Sequence, residues 1–307
     1  MAPPPPANVP LTQRLLLLAQ TLQFAWFAGH LSLIFAVIRY GFSYISFNYY
    51  SRIARFSYRL TFLSAALTYG IVVYKTLRAR SKAGAKAPQS PLALIADENV
   101  QYLGEFASLL SYCGGIASNH ATPVMSLVWL LSPQYPLAML PYAIYSIFHV
   151  ATYTRANVIP TITPPKPITP AAGASPSGKA QYANNPIADK IGAFVKEYYD
   201  ASMSVVSSLE ILLWVRLLLS AITFQRRSWI LIAIYTAFLR ARFTQSTHVQ
   251  NSLALLESRV DSAVGNQGTP PAARQAWETV KGGARQFYAY TDPNRYLSGT
   301  AVPKKTS

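Results

Sequence analysis

Charge is scarce in this 307-residue chain. Asp, Glu, Lys and Arg make up 12% of it, against roughly 25% in ordinary soluble domains. Acids are the scarcer sign, 11 against 27 Lys and Arg, which leaves a formal charge of +16. There is one cysteine, Cys113. It excludes an internal disulfide and a cysteine-based zinc site and reads as a small apolar residue packed inside a helix. The four histidines, His30, His120, His149 and His248, are scattered. The sequence holds no nucleophile elbow, no metal-spaced cluster and no phosphate-binding glycine loop. These absences argue against an enzyme, and no cofactor is expected. No DNA- or RNA-binding module is present, and the basic residues flank apolar segments. The expected partner is therefore the lipid bilayer, anionic lipid in particular, and no nucleic acid.

Apolar residues are abundant at 51%. The longest charge-free stretch runs from Phe106 to Thr154, between Glu105 and Arg155. A bilayer core of roughly 30 Å needs about 20 apolar residues per helix, so this stretch has room for two crossings. Pro123, Pro133, Pro136 and Pro141 interrupt it, and proline disfavours continued helix. The pattern predicts a hairpin over 101–154. A first arm from Gln101 to Leu131, kinked near Pro123, leads to an uncharged turn at Ser132 to Pro136 and a return arm to Tyr153. Small residues on both arms, Gly114, Gly115, Ala117 and Ser118, then Ala138, Ala143 and Ser146, allow close helix approach.

The predicted fold class is all-α: a polytopic helical membrane protein with re-entrant or short hairpin segments and C-terminal amphipathic helices. Residues 1–10 are Pro-rich, lack the basic start of a signal peptide and are expected to be disordered. Residues 11–157 form a membrane helical region. Within it, Leu15 to Ile38 is free of formal charge and long enough to span. Arg39 to Arg59 reads as an interfacial helix, with Arg52, Arg55 and Arg59 on one face and able to snorkel to headgroups. Leu60 to Tyr74 is short and flanked by basic residues on both sides, a pattern a true crossing does not satisfy under the positive-inside rule, so a shallow wedge is expected. Ser90-Pro91 starts the helix that leads into the hairpin.

Residues 158–185 are Pro-rich, with the composition of a disordered linker. Residues 186–264 form a second membrane and amphipathic region. Asn185-Pro186 starts a helix from Ile187 to about Phe224 by the same capping logic. Glu210 and Arg216 lie inside it on roughly opposite faces, each poised for another helix or for snorkelling. Ser228 to Leu239 is short for a crossing and is closed by Arg240 and Arg242. Residues 265–307 hold a basic amphipathic helix and tail. Trp277 and Phe287, with Arg274, Lys281 and Arg285, suit in-plane membrane binding. Lys304 and Lys305 resemble a dilysine retrieval signal.

The return arm ends His149-Val150-Ala151-Thr152-Tyr153-Thr154-Arg155, and a second motif reads Phe238-Leu239-Arg240-Ala241-Arg242-Phe243. These motifs and the order of apolar segments, from roughly Leu11 to Val264, resemble the family of animal transmembrane protein 33 and the fungal pore-membrane proteins. The matching residues are His149, Thr152, Tyr153, Arg155, Arg240 and Arg242. The resemblance implies a location in the endoplasmic reticulum membrane and nuclear envelope. It also implies roles in nuclear-pore assembly or distribution and in tubule organisation, with reticulon-like membrane proteins and nucleoporins or transport receptors as partners. Short apolar segments, interfacial aromatics and amphipathic tails suggest shaping of curved membrane. The competing reading is a transporter or lipid-handling protein, for which Glu210 and Arg216 are the hints.

Overall fold

A computed structural model describes residues 9–82, 124–164, 185–225 and 227–291. The chain divides into two compact units at His248/Val249, so most of the helix over Thr247–Gly265 lies in the C-terminal unit.

The first unit opens with α1 (Leu11–Ala19) and α2 (Leu22–Ile45). The expected span Leu15–Ile38 is displaced: Thr21 Oγ1 accepts from Phe24 N at 3.1 Å and starts a new helix there. Arg39 falls inside α2 and bonds Ser43 Oγ one turn on. The interfacial helix expected over Arg39–Arg59 is absent as such. A turn at 46–51 separates α2 from α3 (Arg52–Lys82), which is continuous for 31 residues. The wedge expected at Leu60–Tyr74 is thus the middle of a long helix. Its Arg52–Lys75 segment is long and apolar enough to cross a membrane. The charge-free run was a poor ruler because Arg55 is exposed and Arg59 half-buried, positions from which Arg heads can reach the headgroups.

α2 and α3 pack antiparallel, as Ser32 against Ser64, Gly29 against Thr68 and Tyr40 against Tyr58 show. The α3 face toward this seam is a ladder of small residues, with Ala54, Ser57, Thr61, Ser64, Ala65 and Thr68 all buried. Such ladders let membrane helices touch backbone to backbone.

The expected turn and return arm of the central hairpin are present. α4 (Val124–Leu131) enters the turn, a 3₁₀ turn follows at Pro136–Ala138, and α5 (Met139–Tyr153) returns. Most of the first arm, with Cys113, His120 and Pro123, lies outside the described residues. Tyr58 holds the turn by donating to Pro133 O at 3.3 Å and accepting from Tyr135 N at 3.1 Å. Tyr40 Oη donates to Gln134 Oε1 at 3.0 Å. α5 does not stop at Tyr153. A π-helical segment, Thr154–Val158, and a last turn, Ile159–Ile162, extend it into the range expected to be linker. Arg14 of α1 is buried against this extension and donates to Thr161 O at 2.8 Å.

α6 (Pro186–Ile222) starts as expected, with Asn185 accepting from Ile187 N and Ala188 N. α7 (Ser228–Gln245) is longer than its apolar run and continues through Arg240 and Arg242. The core is shared by α2 to α7 around Phe62, Trp129, Tyr142, Leu217 and Tyr235. α2 and α6 end alike. In each, a phenylalanine with positive φ, Phe47 at 54° and Phe224 at 54°, takes the left-handed position after the cap. Asn48 N then reaches Ser43 O and Gln225 N reaches Ser220 O. This is the Schellman closure, in which glycine is the usual left-handed residue.

The C-terminal unit is a second helical hairpin of α8 (Thr247–Gly265) and α9 (Pro271–Tyr290). Thr269 Oγ1 ties the connecting turn to Ala263 O.

Candidate functional site

Two sets of polar residues lie inside the bundle. The first is an ion pair. Glu210 of α6 is 1% exposed, and its Oε2 lies 3.5 Å from Nε of Arg242 on α7. Arg242 Nη2 also donates to Tyr145 Oη of α5 at 3.0 Å, and Tyr235 Oη caps the Glu210 carbonyl at 3.2 Å. Three helices are thereby joined at one point. A charge in this setting persists only when paired and hydrogen-bonded. Arg216 lies apart from it as expected. It is exposed and bonds Ser220 Oγ on its own helix.

The second set gathers at the end of the bundle where α2 begins and α3 and α5 finish. His30 is 1% exposed and its Nδ1 lies 2.9 Å from Ser146 Oγ. Trp26 packs edge-on against both His30 and His149, with ring centroids at 4.6 and 5.0 Å, and Phe27 stacks on Tyr153. Beside this cluster is a cleft of about 300 Å³, lined by residues of α2, α3, α5 and the π-helical segment.

The residues of the first family motif therefore converge. His149, Thr152 and Tyr153 all line the cleft. Arg155 does not. Its guanidinium lies over Gly192 of α6, where a Cβ would come within 2.6 Å of Cζ. In the second motif Arg242 belongs to the ion pair, and Arg240 is half-buried on α7. The sequence marked Glu210 and Arg242 separately. Nothing in their spacing joins them, because they sit on different helices.

The interface residues divide. Arg52 and Arg55 are exposed in the first turn of α3, and Arg59 lies with its guanidinium 5.8 Å from the ring centroid of Tyr58. On α9 the basic residues, expected from sequence to be available to headgroups, reach toward α8 and its connecting turn. Lys281 Nζ reaches Asp261 Oδ1 at 2.9 Å, Arg285 lies 3.6 Å from Glu257, and Arg274 donates to Asn266 O. Trp277 Nε1 donates to Asp261 at 2.6 Å. The indole N–H first, then the Lys281 ammonium, hold the Asp261 carboxyl below its usual range. Bonds to Glu278 and then Asp261 raise Lys281 above its own. α9 thus turns a polar side toward α8 and leaves its apolar strip uncovered, with Val280 59% and Phe287 43% exposed. Lys304 and Lys305 lie outside the described residues.

Among the described residues, three helices long and apolar enough to cross a membrane, Leu22–Ile45, Arg52–Lys75 and Pro186–Ile222, carry exposed Phe35, Leu67 and Leu212, one on each. With a buried ion pair between helices, they define a polytopic helical membrane protein. The chain belongs to the Transmembrane protein 33/Nucleoporin POM33 family, whose model matches residues 116–288. It is 60% identical to Nucleoporin POM33 of Chaetomium thermophilum, over the full length of both chains. It is 26% identical to the Pore membrane protein of 33 kDa of Saccharomyces cerevisiae, covering 90% of this chain and 88% of that one. Against Tetra-spanning protein 1 of Schizosaccharomyces pombe it is 27% identical, covering 91% and 89%. No solved structure matches.

Proposed function

We propose that this chain is a multi-pass protein of the endoplasmic reticulum membrane and nuclear envelope that shapes or stabilises curved membrane. In this reading it supports nuclear-pore assembly or distribution and the organisation of tubules. The names of its relatives support the pore-membrane setting. The observation that supports curvature is the uncovered strip of α9. Val280, Ala284 and Phe287 are exposed side by side, while the neighbouring face is held to α8 by Asp261 and Glu257. Fully burying one large apolar side chain is worth roughly 1.5–3 kcal/mol, so partial insertion of this strip gives weak, reversible binding at lipid-packing defects. Reticulon-like proteins, nucleoporins and transport receptors are the partners this reading assigns.

Full-length protein reconstituted into liposomes should draw them into tubules or concentrate on narrow tubes. Val280→Asp with Phe287→Asp should reduce this several-fold and leave insertion of the first unit intact. Equal tubulation by the variant would remove the strip from the account. Solute flux or lipid scrambling without any effect on shape would favour the transporter or lipid-handling reading instead. That reading has lost one of its hints, because Glu210 is bound to Arg242.

A further inference from the structure

We propose that the cleft beside His149 binds the phosphate headgroup of one anionic glycerophospholipid. The inference rests on the membrane placement of the first unit and is independent of the curvature reading.

Depth is the first argument. Gln23 and Trp26 lie at the start of the crossing segment Leu22–Ile45, and Ile71, Val72 and Lys75 at the end of the segment Arg52–Lys75. The cleft therefore sits where two apolar spans begin and end, which is the headgroup level of the bilayer. Trp favours that level, and Trp26 packs its ring there against His30 and His149.

Charge and donors are the second. Among the ten described residues that line the cleft, Lys75 is the one with formal charge and none is a carboxylate. Gln23, Thr152, Asn157 and His149 supply hydrogen-bonding groups around it. Hydrogen-bonding groups beside one ammonium suit an anion. Lys75 is exposed, as a snorkelling lysine at a span's end should be.

The shape of the cleft fits the same ligand. The walls are apolar, from Trp26, Ile71, Val72 and Ala156, while the volume of about 300 Å³ suits a headgroup and not acyl chains. Ala156 and Asn157 reach the cleft because α5 passes into π-helical register at Thr154–Val158. Such local widening of a helix is frequent at functional sites. A free phosphate would satisfy the donors but leave the apolar walls bare, whereas the glycerol carbons that carry a lipid's phosphate would cover them, so the lipid is the occupant the cleft fits.

The test uses the full-length chain in neutral detergent, with native mass spectrometry after addition of phosphatidic acid or phosphatidylcholine. One phosphatidic acid should be retained where phosphatidylcholine is lost. Lys75→Glu, at an exposed position, and Ala156→Trp, which fills the cleft without changing charge, should each lower retention roughly tenfold. Lys190→Glu, an exposed lysine elsewhere on the same unit, should change nothing, and a large excess of inorganic phosphate should not displace the lipid. Retention unchanged in both Lys75→Glu and Ala156→Trp would place the lipid elsewhere and overturn the proposal. Displacement by inorganic phosphate would overturn the lipid assignment in favour of a free anion. Neither result depends on whether the protein bends membranes.

Discussion

Arg242→Ala should destabilise the membrane bundle by about 3–5 kcal/mol, the usual consequence of leaving a buried charge without its partner. Glu210 is 1% exposed, so water cannot take over from the lost guanidinium. The change also deprives Tyr145 of its donor, and α5, α6 and α7 lose their common tie. Glu210→Ala should cost a similar amount for the mirrored reason, since Arg242 is itself 3% exposed. Glu210→Leu with Arg242→Met should recover most of the loss. Replacing a whole buried pair with apolar side chains of similar volume is often neutral or stabilising, and here apolar Leu213 and Phe238 are close by. Thermal unfolding followed by monodispersity in detergent reads all three variants. Single variants as stable as the parent would mean that the pair carries no weight in the fold.

The second large effect is expected at Gly29. A Cβ there would lie 2.5 Å from Thr68 Cγ2 across the α2–α3 seam, closer than two carbons can stand. Gly29→Val should therefore cost about 1–3 kcal/mol through overpacking. Gly29→Ala is a finer case, since alanine gains about 1 kcal/mol over glycine in helix propensity while meeting the same clash. Thr68→Ser removes Cγ2 and keeps the hydroxyl that bonds Ala65 O at 2.9 Å. Gly29→Ala with Thr68→Ser should then be at least as stable as the parent, a sign reversal that a general loss of helix flexibility would not produce. Denaturation midpoints of the four proteins settle it.

Several elements were legible because a short-range signal carried them. Asn185-Pro186 marks the start of α6 through one side-chain cap and one proline, and the uncharged, proline-rich turn at Ser132–Pro136 marks the reversal into α5. The misreadings share a cause. Counting charge-free residues treated Arg39 and Arg59 as helix ends, whereas an arginine within a turn or two of the bilayer surface can stay in the helix and extend outward. The same count shortened α7 at Arg240, because the partner of Arg242 stands on another helix. Tertiary pairing is not written in one helix's periodicity. The cleft was visible only in pieces. His149, Thr152 and Tyr153 were singled out by family resemblance, but Gln23 and Lys75 come from two other helices, and Asn157 from the extension of α5 beyond the motif. The ladder from Ala54 to Thr68 was a signal present in the sequence and passed over. Small residues at intervals of three and four mark a close helix seam as surely as they do on the hairpin arms.

In this account α2 and α3 form a true crossing hairpin whose turn lies on the same side as the turn at 132–136 and the end of α6 at 223–225. Tyr40–Gln134 and Tyr58–Pro133 tie the two turns together, and the antiparallel run of α5, α6 and α7 brings the end of α6 to that side. Cysteine labelling from each side of sealed microsomes, in a Cys113→Ser background, tests it most directly. Asn48→Cys, Gln134→Cys and Gln225→Cys should react only from the lumen, and Thr163→Cys only from the cytosol. Labelling of Asn48→Cys from the cytosol, alongside Thr163→Cys, would show that α2 and α3 do not span, and would contradict the account.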